Sequence, residues 1–88
     1  MTWNVRLAKE AQKQFRKFPL DRQEWLLAHL RDMKEDPFRG DVKPLKGKEW
    51  KGRYRKKIGR YRLIFVPRHS EHVVEISQIL PRSEKTYR

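Results

Sequence analysis

The stretch from Lys43 to Phe65, KPLKGKEWKGRYRKKIGRYRLIF, most narrows the folds open to this chain of 88 residues. Its second half alternates with the two-residue period of a strand. Arg53, Arg55 and Lys57 fall on one side, and Tyr54, Lys56 and Ile58 on the other. After Gly59 the alternation resumes, with Tyr61, Leu63 and Phe65 opposed to Arg62, Ile64 and Val66. Two short strands joined at Gly59 make a hairpin, and its apolar face needs a cover.

The same stretch is strongly basic. Between Lys43 and Arg62 stand the ten residues Lys43, Lys46, Lys48, Lys51, Arg53, Arg55, Lys56, Lys57, Arg60 and Arg62, against the single acid Glu49. Trp50, Tyr54 and Tyr61 are interleaved with them. Ten against one departs from the mixed signs of an ordinary surface and suits a polyanion-binding face, with solubility and edge-strand charges as the alternative.

The whole chain has a formal charge of +12. Repulsion of that size is relieved by an anionic partner, either nucleic acid or an acidic protein. One small domain over residues 1–88 is expected, with a single core. The chain has no cysteine, so apolar packing must hold it without disulfides or thiolate metal sites. Its apolar runs reach only four or five residues, as in Trp25 to Ala28, and the N-terminus lacks a signal pattern. No membrane partner is expected, and the expected location is the cytoplasm.

Trp3, Val5 and Leu7 predict a short N-terminal strand. From there Ala8, Ala11, Phe15 and Phe18 follow helical spacing, up to Pro19. A second helix is expected with Asp21 as N-cap, Glu24 completing a capping box, and Leu20 and Trp25 as a hydrophobic staple. Leu26, Leu27, Leu30 and Met33 form its expected buried stripe, and Asp36–Pro37 ends it. Pro37 to Lys51 reads as a loop. Strands are expected over Arg53–Ile58, Arg60–Val66 and Val73–Leu80, with a turn at Pro67 to Glu71. The fold class is therefore α+β: an N-terminal strand, a helical hairpin, then a three-stranded antiparallel sheet with the helices on one face. The other face is left free to carry Arg53 and Arg55.

His29, His69 and His72 have no carboxylate cluster at ligand spacing, so neither a metal nor another cofactor is expected. Two turn histidines also make a poor acid–base pair, and read better as solvated. Cationic chemistry remains. Attack of a ribose 2'-hydroxyl on its neighbouring phosphate builds extra negative charge, which preorganised Arg and Lys groups stabilise. Arginine keeps its proton, so the base must be a lysine or tyrosine in the cationic field. Tyr87, between Lys85 and Arg88, is one candidate, with a packed C-terminal anchor as its alternative role. Lys46, Lys48, Lys51, Lys56, Lys57 and Lys85 are candidate RNA contacts, and Trp50 is a candidate stacking platform.

LKG at Leu45 to Gly47, RYRKKIGRYRLIF from Arg53 to Phe65 and the closing ILPRSEKTYR together resemble the RelE/ParE superfamily of type II toxins. That resemblance implies a RelE-like fold and a toxin neutralised by an acidic cognate antitoxin. RelE-type members cleave mRNA in the ribosomal A site without a metal and leave a 2',3'-cyclic phosphate. By position, the resemblance makes Arg53 and Arg55 phosphate-holding residues, Arg62 the transition-state stabiliser, Arg82 the aid to the leaving oxygen, and Tyr87 the group that activates the 2'-hydroxyl or stacks on a base. Arg55 stands where a lysine has a base role in the best-studied enzymes, which passes that role to Tyr87, Lys56 or Lys57. The spacing from Arg82 to Tyr87 is about one residue longer than the usual motif. ParE-like members on the same fold instead bind and inhibit DNA gyrase. A basic ribosome- or RNA-binding module without catalysis needs only the charge.

Overall fold

The computed structural model describes residues 2–48 and 51–81. The elements run β1 (Asn4–Leu7), α1 (Lys9–Arg16), α2 (Leu20–Glu35), β2 (Val42–Pro44), β3 (Tyr54–Ile58), β4 (Tyr61–Arg68) and β5 (Val73–Pro81). They form one five-stranded sheet in the order β1-β5-β4-β3-β2, antiparallel throughout except for β1, which lies parallel to β5. This is the expected α+β fold with one more strand. Residues 42–44 have no apolar alternation to announce a strand. They extend because β3 offers a free edge, pairing Val42 with Lys56, Lys43 with Arg55 and Pro44 with Tyr54.

Leu26, Leu30 and Met33 project from one face of α2 onto Ile58, Leu63, Phe65, Val74, Ile76 and Ile79 of the sheet, and α1 adds Ala11. All ten are nearly or fully buried. The expected stripe is corrected at Leu27, which is 39% exposed because it sits about 100° round the helix from Leu26. The start of α2 is corrected as well. Pro19, at φ −58°, takes the cap position, and no side chain caps the helix. Asp21 is thereby already inside the first turn, its carboxylate accepting from the Arg22 N–H at 2.9 Å and adding negative charge where the dipole favours it. Leu20 is 78% exposed and makes no staple.

The helix α1 is tied to the sheet by Gln14, whose Oε1 accepts from the Ile79 N–H at 2.6 Å. The register between β4 and β5 shifts between Ile64 and Phe65, where Ile64 pairs with Gln78 and Phe65 with Ile76. Ser77 is the extra residue of this bulge. The strand β4 also runs through Pro67 to Arg68, two residues past its expected end. The histidine turn is likewise less wet than expected: His72, at φ 57°, stacks its ring on Trp3 with centroids 4.3 Å apart.

Gly59 closes the β3–β4 hairpin at φ 57°, and a Cβ there would lie 3.1 Å from the Trp25 ring. Gly59→Ala should destabilise the domain by about 1–2 kcal/mol in urea unfolding, from left-handed backbone strain with the Trp25 contact added. A loss below about 0.5 kcal/mol, the range of an ordinary surface change, would show that this turn does not need its glycine.

Candidate functional site

Alternation along β3 and β4 sorts their side chains between two faces. Ile58, Leu63 and Phe65 join the core, which turns Arg55 and Lys57 of the first strand, with Arg53 just before it, and Arg62, Ile64 and Val66 of the second, to the helix-free side. Lys57 is the register partner of Arg62, and Arg55 that of Ile64. Arg55 and Arg62 are thus diagonal neighbours, on the usual antiparallel spacing about 7–8 Å apart. Arg53 reaches across to β5, where its Nη1 donates to Ser77 Oγ at 3.5 Å. The strand β2 brings Lys43 opposite Arg55 on the same face. Sequence reasoning counted Lys43 in the basic stretch without placing it beside Arg55 and missed Ser77, because neither position shows a signal before β2 pairs and the bulge forms.

Few acids face these cations. Glu75 is engaged by Arg68, 2.8 Å away, and by Arg6, 3.9 Å away. Asp41 Oδ1 lies 3.8 Å from Arg55 Nη1. The Arg55 side chain is only 12% exposed, and its buried Nη1 makes no hydrogen bond among the described residues. A guanidinium held in the surface in this way has donor capacity for a phosphate and has already lost much of its freedom.

The structure therefore brings Arg53, Arg55 and Arg62 onto one surface with Lys57. Lys46, Lys48 and Lys51 are exposed in the segment before β3. Trp50, Arg82, Lys85 and Tyr87 lie outside the described residues. Lys56, a candidate RNA contact, takes the helix-facing side with Tyr54 and Ile58, as its place in the alternation indicated; it is 8% exposed and is not part of the basic face. The strand period that puts Arg55 and Lys57 outside puts the residue between them inside.

Lys56 lines a cavity of about 280 Å³ at the β3 edge, together with His29, Asp32, Asp36, Arg39 and Asp41. Burial lowers its pKa from the ordinary 10.5, with Asp32 and Asp36 opposing that shift and Arg39 reinforcing it. Among the described residues no three His, Cys, Asp or Glu side chains gather as a metal site, and no helix is long and apolar enough to cross a membrane.

The family model for the ParE toxin of type II toxin–antitoxin systems matches residues 5–86. The chain belongs to this family. No curated sequence matches the toxin. Its fold is similar to that of the RelBE2 toxin–antitoxin complex of Mycobacterium tuberculosis, at TM-score 0.82 and 23% identity, covering 93% of this chain and 100% of that one. An archaeal RelE–RelB complex from Pyrococcus horikoshii gives 0.76 at 25% identity, covering 96% and 99%. The isolated RelE toxin of E. coli gives 0.73 at 25% identity, covering 96% and 90%. The toxin is thus a type II toxin of the RelE/ParE superfamily, as its sequence pattern led one to expect.

Lys56 supplies a test of this geometry. Its lowered pKa means that the unfolded toxin binds the proton more readily than the folded one between the folded value and 10.5, so its contribution makes stability rise with pH through that window. Lys56→Met should be neutral to stabilising by about 1 kcal/mol below the window, and wild type should close the gap as pH approaches 10.5. Denaturant unfolding of both proteins from pH 7 upward measures this, and parallel curves would contradict a buried ammonium.

Proposed function

We propose that this toxin is a ribosome-dependent endoribonuclease that cleaves mRNA without a metal. The observation that supports it best is the convergence of Arg53, Arg55 and Arg62 on the helix-free face, with Lys57 opposite Arg62. Arg53 and Arg55 hold the scissile phosphate. Arg62 faces the two non-bridging oxygens as the 2'-hydroxyl attacks and the phosphorane gains charge, where a fixed guanidinium contributes most. The 2'-oxygen bonds to phosphorus, the 5'-oxygen of the next nucleotide leaves, and a 2',3'-cyclic phosphate remains. Arginine cannot accept the 2'-hydroxyl proton. On the sequence resemblance, Tyr87 takes that proton and Arg82 assists the leaving oxygen.

The partner that silences the toxin is an acidic cognate antitoxin covering the basic face. Two of the similar folds come from toxin–antitoxin complexes, which supports such a partner. The expected site of action is the cytoplasm, where ribosomes and mRNA are found.

A second reading has its own support. The matching family model is that of the ParE toxin, and on the sequence resemblance ParE-like members bind and inhibit DNA gyrase without catalysis. The same cations would then hold an acidic protein surface.

Primer extension on mRNA after induced expression separates the two. The nuclease reading expects cuts at programmed codons, with Arg62→Ala and Tyr87→Phe each weakening them by about 10² or more. Intact mRNA together with inhibited gyrase supercoiling would replace it with the ParE-like reading.

A further inference from the structure

Two arginine–carboxylate pairs stand on the helix-free side, and they differ. Arg68 and Glu75 are closed, with Nη2 and Nε donating to Oε1 at 2.8 and 3.2 Å. Arg55 and Asp41 stay open. Nη1 and Oδ1 are 3.8 Å apart, beyond hydrogen-bond reach, and Nη1 is buried with no hydrogen bond among the described residues. A charge-assisted bond of this kind normally closes to about 2.7–2.9 Å. The Asp41 carboxylate is 49% exposed and accepts no hydrogen bond among the described residues that would hold it away.

The backbone of Asp41, by contrast, is fixed. Its carbonyl accepts from the Lys57 N–H at 3.0 Å, and the Val42 N–H donates to Gly40 O at 3.0 Å across it. The carboxylate is therefore carried on two side-chain torsions from a rigid mount, and it changes rotamer without disturbing β2. The guanidinium has no such freedom. Arg55 lies between Lys43 of β2 and Ile64 of β4 in register, its side chain only 12% exposed. Of the two partners, the carboxylate is the one able to leave. A desolvated guanidinium with no counter-charge is costly, and Asp41 supplies that charge from a distance that leaves the donor unspent.

We propose that Asp41 is a placeholder for the RNA phosphate: it neutralises Arg55 in the empty toxin and turns away when a phosphate oxygen takes its position. It thereby sets the affinity of the basic face, as a positioning residue that acts through Arg55. A chain of charge +12 attracts any polyanion. With Asp41 in place, an anion gains Arg55 only by displacing the carboxylate, which weakens loose contacts and spares those that reach the buried donor. The inference rests on the nuclease reading for the identity of the displacing anion, and it deepens that reading by naming what the phosphate must replace.

A short single-stranded DNA has the phosphates and no 2'-hydroxyl, so it reports binding without cleavage. Its affinity is measured by fluorescence anisotropy between about 50 and 200 mM salt. Asp41→Asn should lower Kd about threefold at the low-salt end, the scale of an exposed ion pair. It should also steepen the fall of log K with log salt by about 0.7, the increment of one more cation available to a single strand. Asp41→Glu, which keeps the charge, should keep the wild-type slope. In an Arg55→Met background the Asn substitution should change neither quantity, and cooperative melting of each variant verifies its fold. Wild-type affinity and slope in Asp41→Asn, or a full gain that persists without Arg55, would overturn the placeholder. So would a gain confined to a polyglutamate peptide, which would assign the exchange to an acidic protein. Cut mRNA together with an Asn variant that binds as wild type would remove the role of Asp41 and leave the nuclease, whereas the Asn gain with intact mRNA would keep that role and remove the nuclease.

Discussion

The register between β3 and β4, Lys57 against Arg62 and Arg55 against Ile64, carries both the core and the charged face. Because side chains alternate, Ile58, Leu63 and Phe65 reach the helices only in the registers that place Arg55 and Arg62 on the far side. A slip by one residue would bury guanidinium groups against α2 and expose Phe65. Hydrophobic burial therefore sets the position of the cations, and no attraction among the cations is required.

That arrangement has an electrostatic cost. Directly opposed like charges, such as Lys57 and Arg62, weaken a strand pair. Lys43 beside Arg55 adds to the repulsion, and Asp41 is the nearby carboxylate that offsets it. A surface strained in this way is complementary to phosphate or to an acidic protein segment before either arrives. The same property suits either kind of anionic partner.

Much of this was legible in the sequence. The period-two runs after Arg53 and the helical spacing of Leu26, Leu30 and Met33 report directly which side is buried, because burial selects residue type at every turn of the pattern. Arg53, Arg55, Arg62 and Lys57 could be placed on one face for that reason. The start of α2 was misread because D-x-x-E fits a capping box wherever it occurs, and only the chain path shows that Pro19 holds the cap position. Lys56 was grouped with its basic neighbours by charge, although its place in the alternation assigns it to the opposite side. The strand β2 carries no pattern of its own.

The sequence by itself determined the class of fold and the cationic face, since both are written in local periodicity and in residue types that neighbouring elements cannot change, and its motifs resemble those of the toxin family. The tertiary structure alone decided what shares a site across chain distance. The pairing of β2 brought Lys43 and Asp41 to Arg55, the bulge gave Ser77 to Arg53, and the packing of α2 over β3 set Asp32 and Asp36 around Lys56. Such meetings depend on strand order, register and helix docking, which are properties of the whole core and leave no trace in any short stretch of residues.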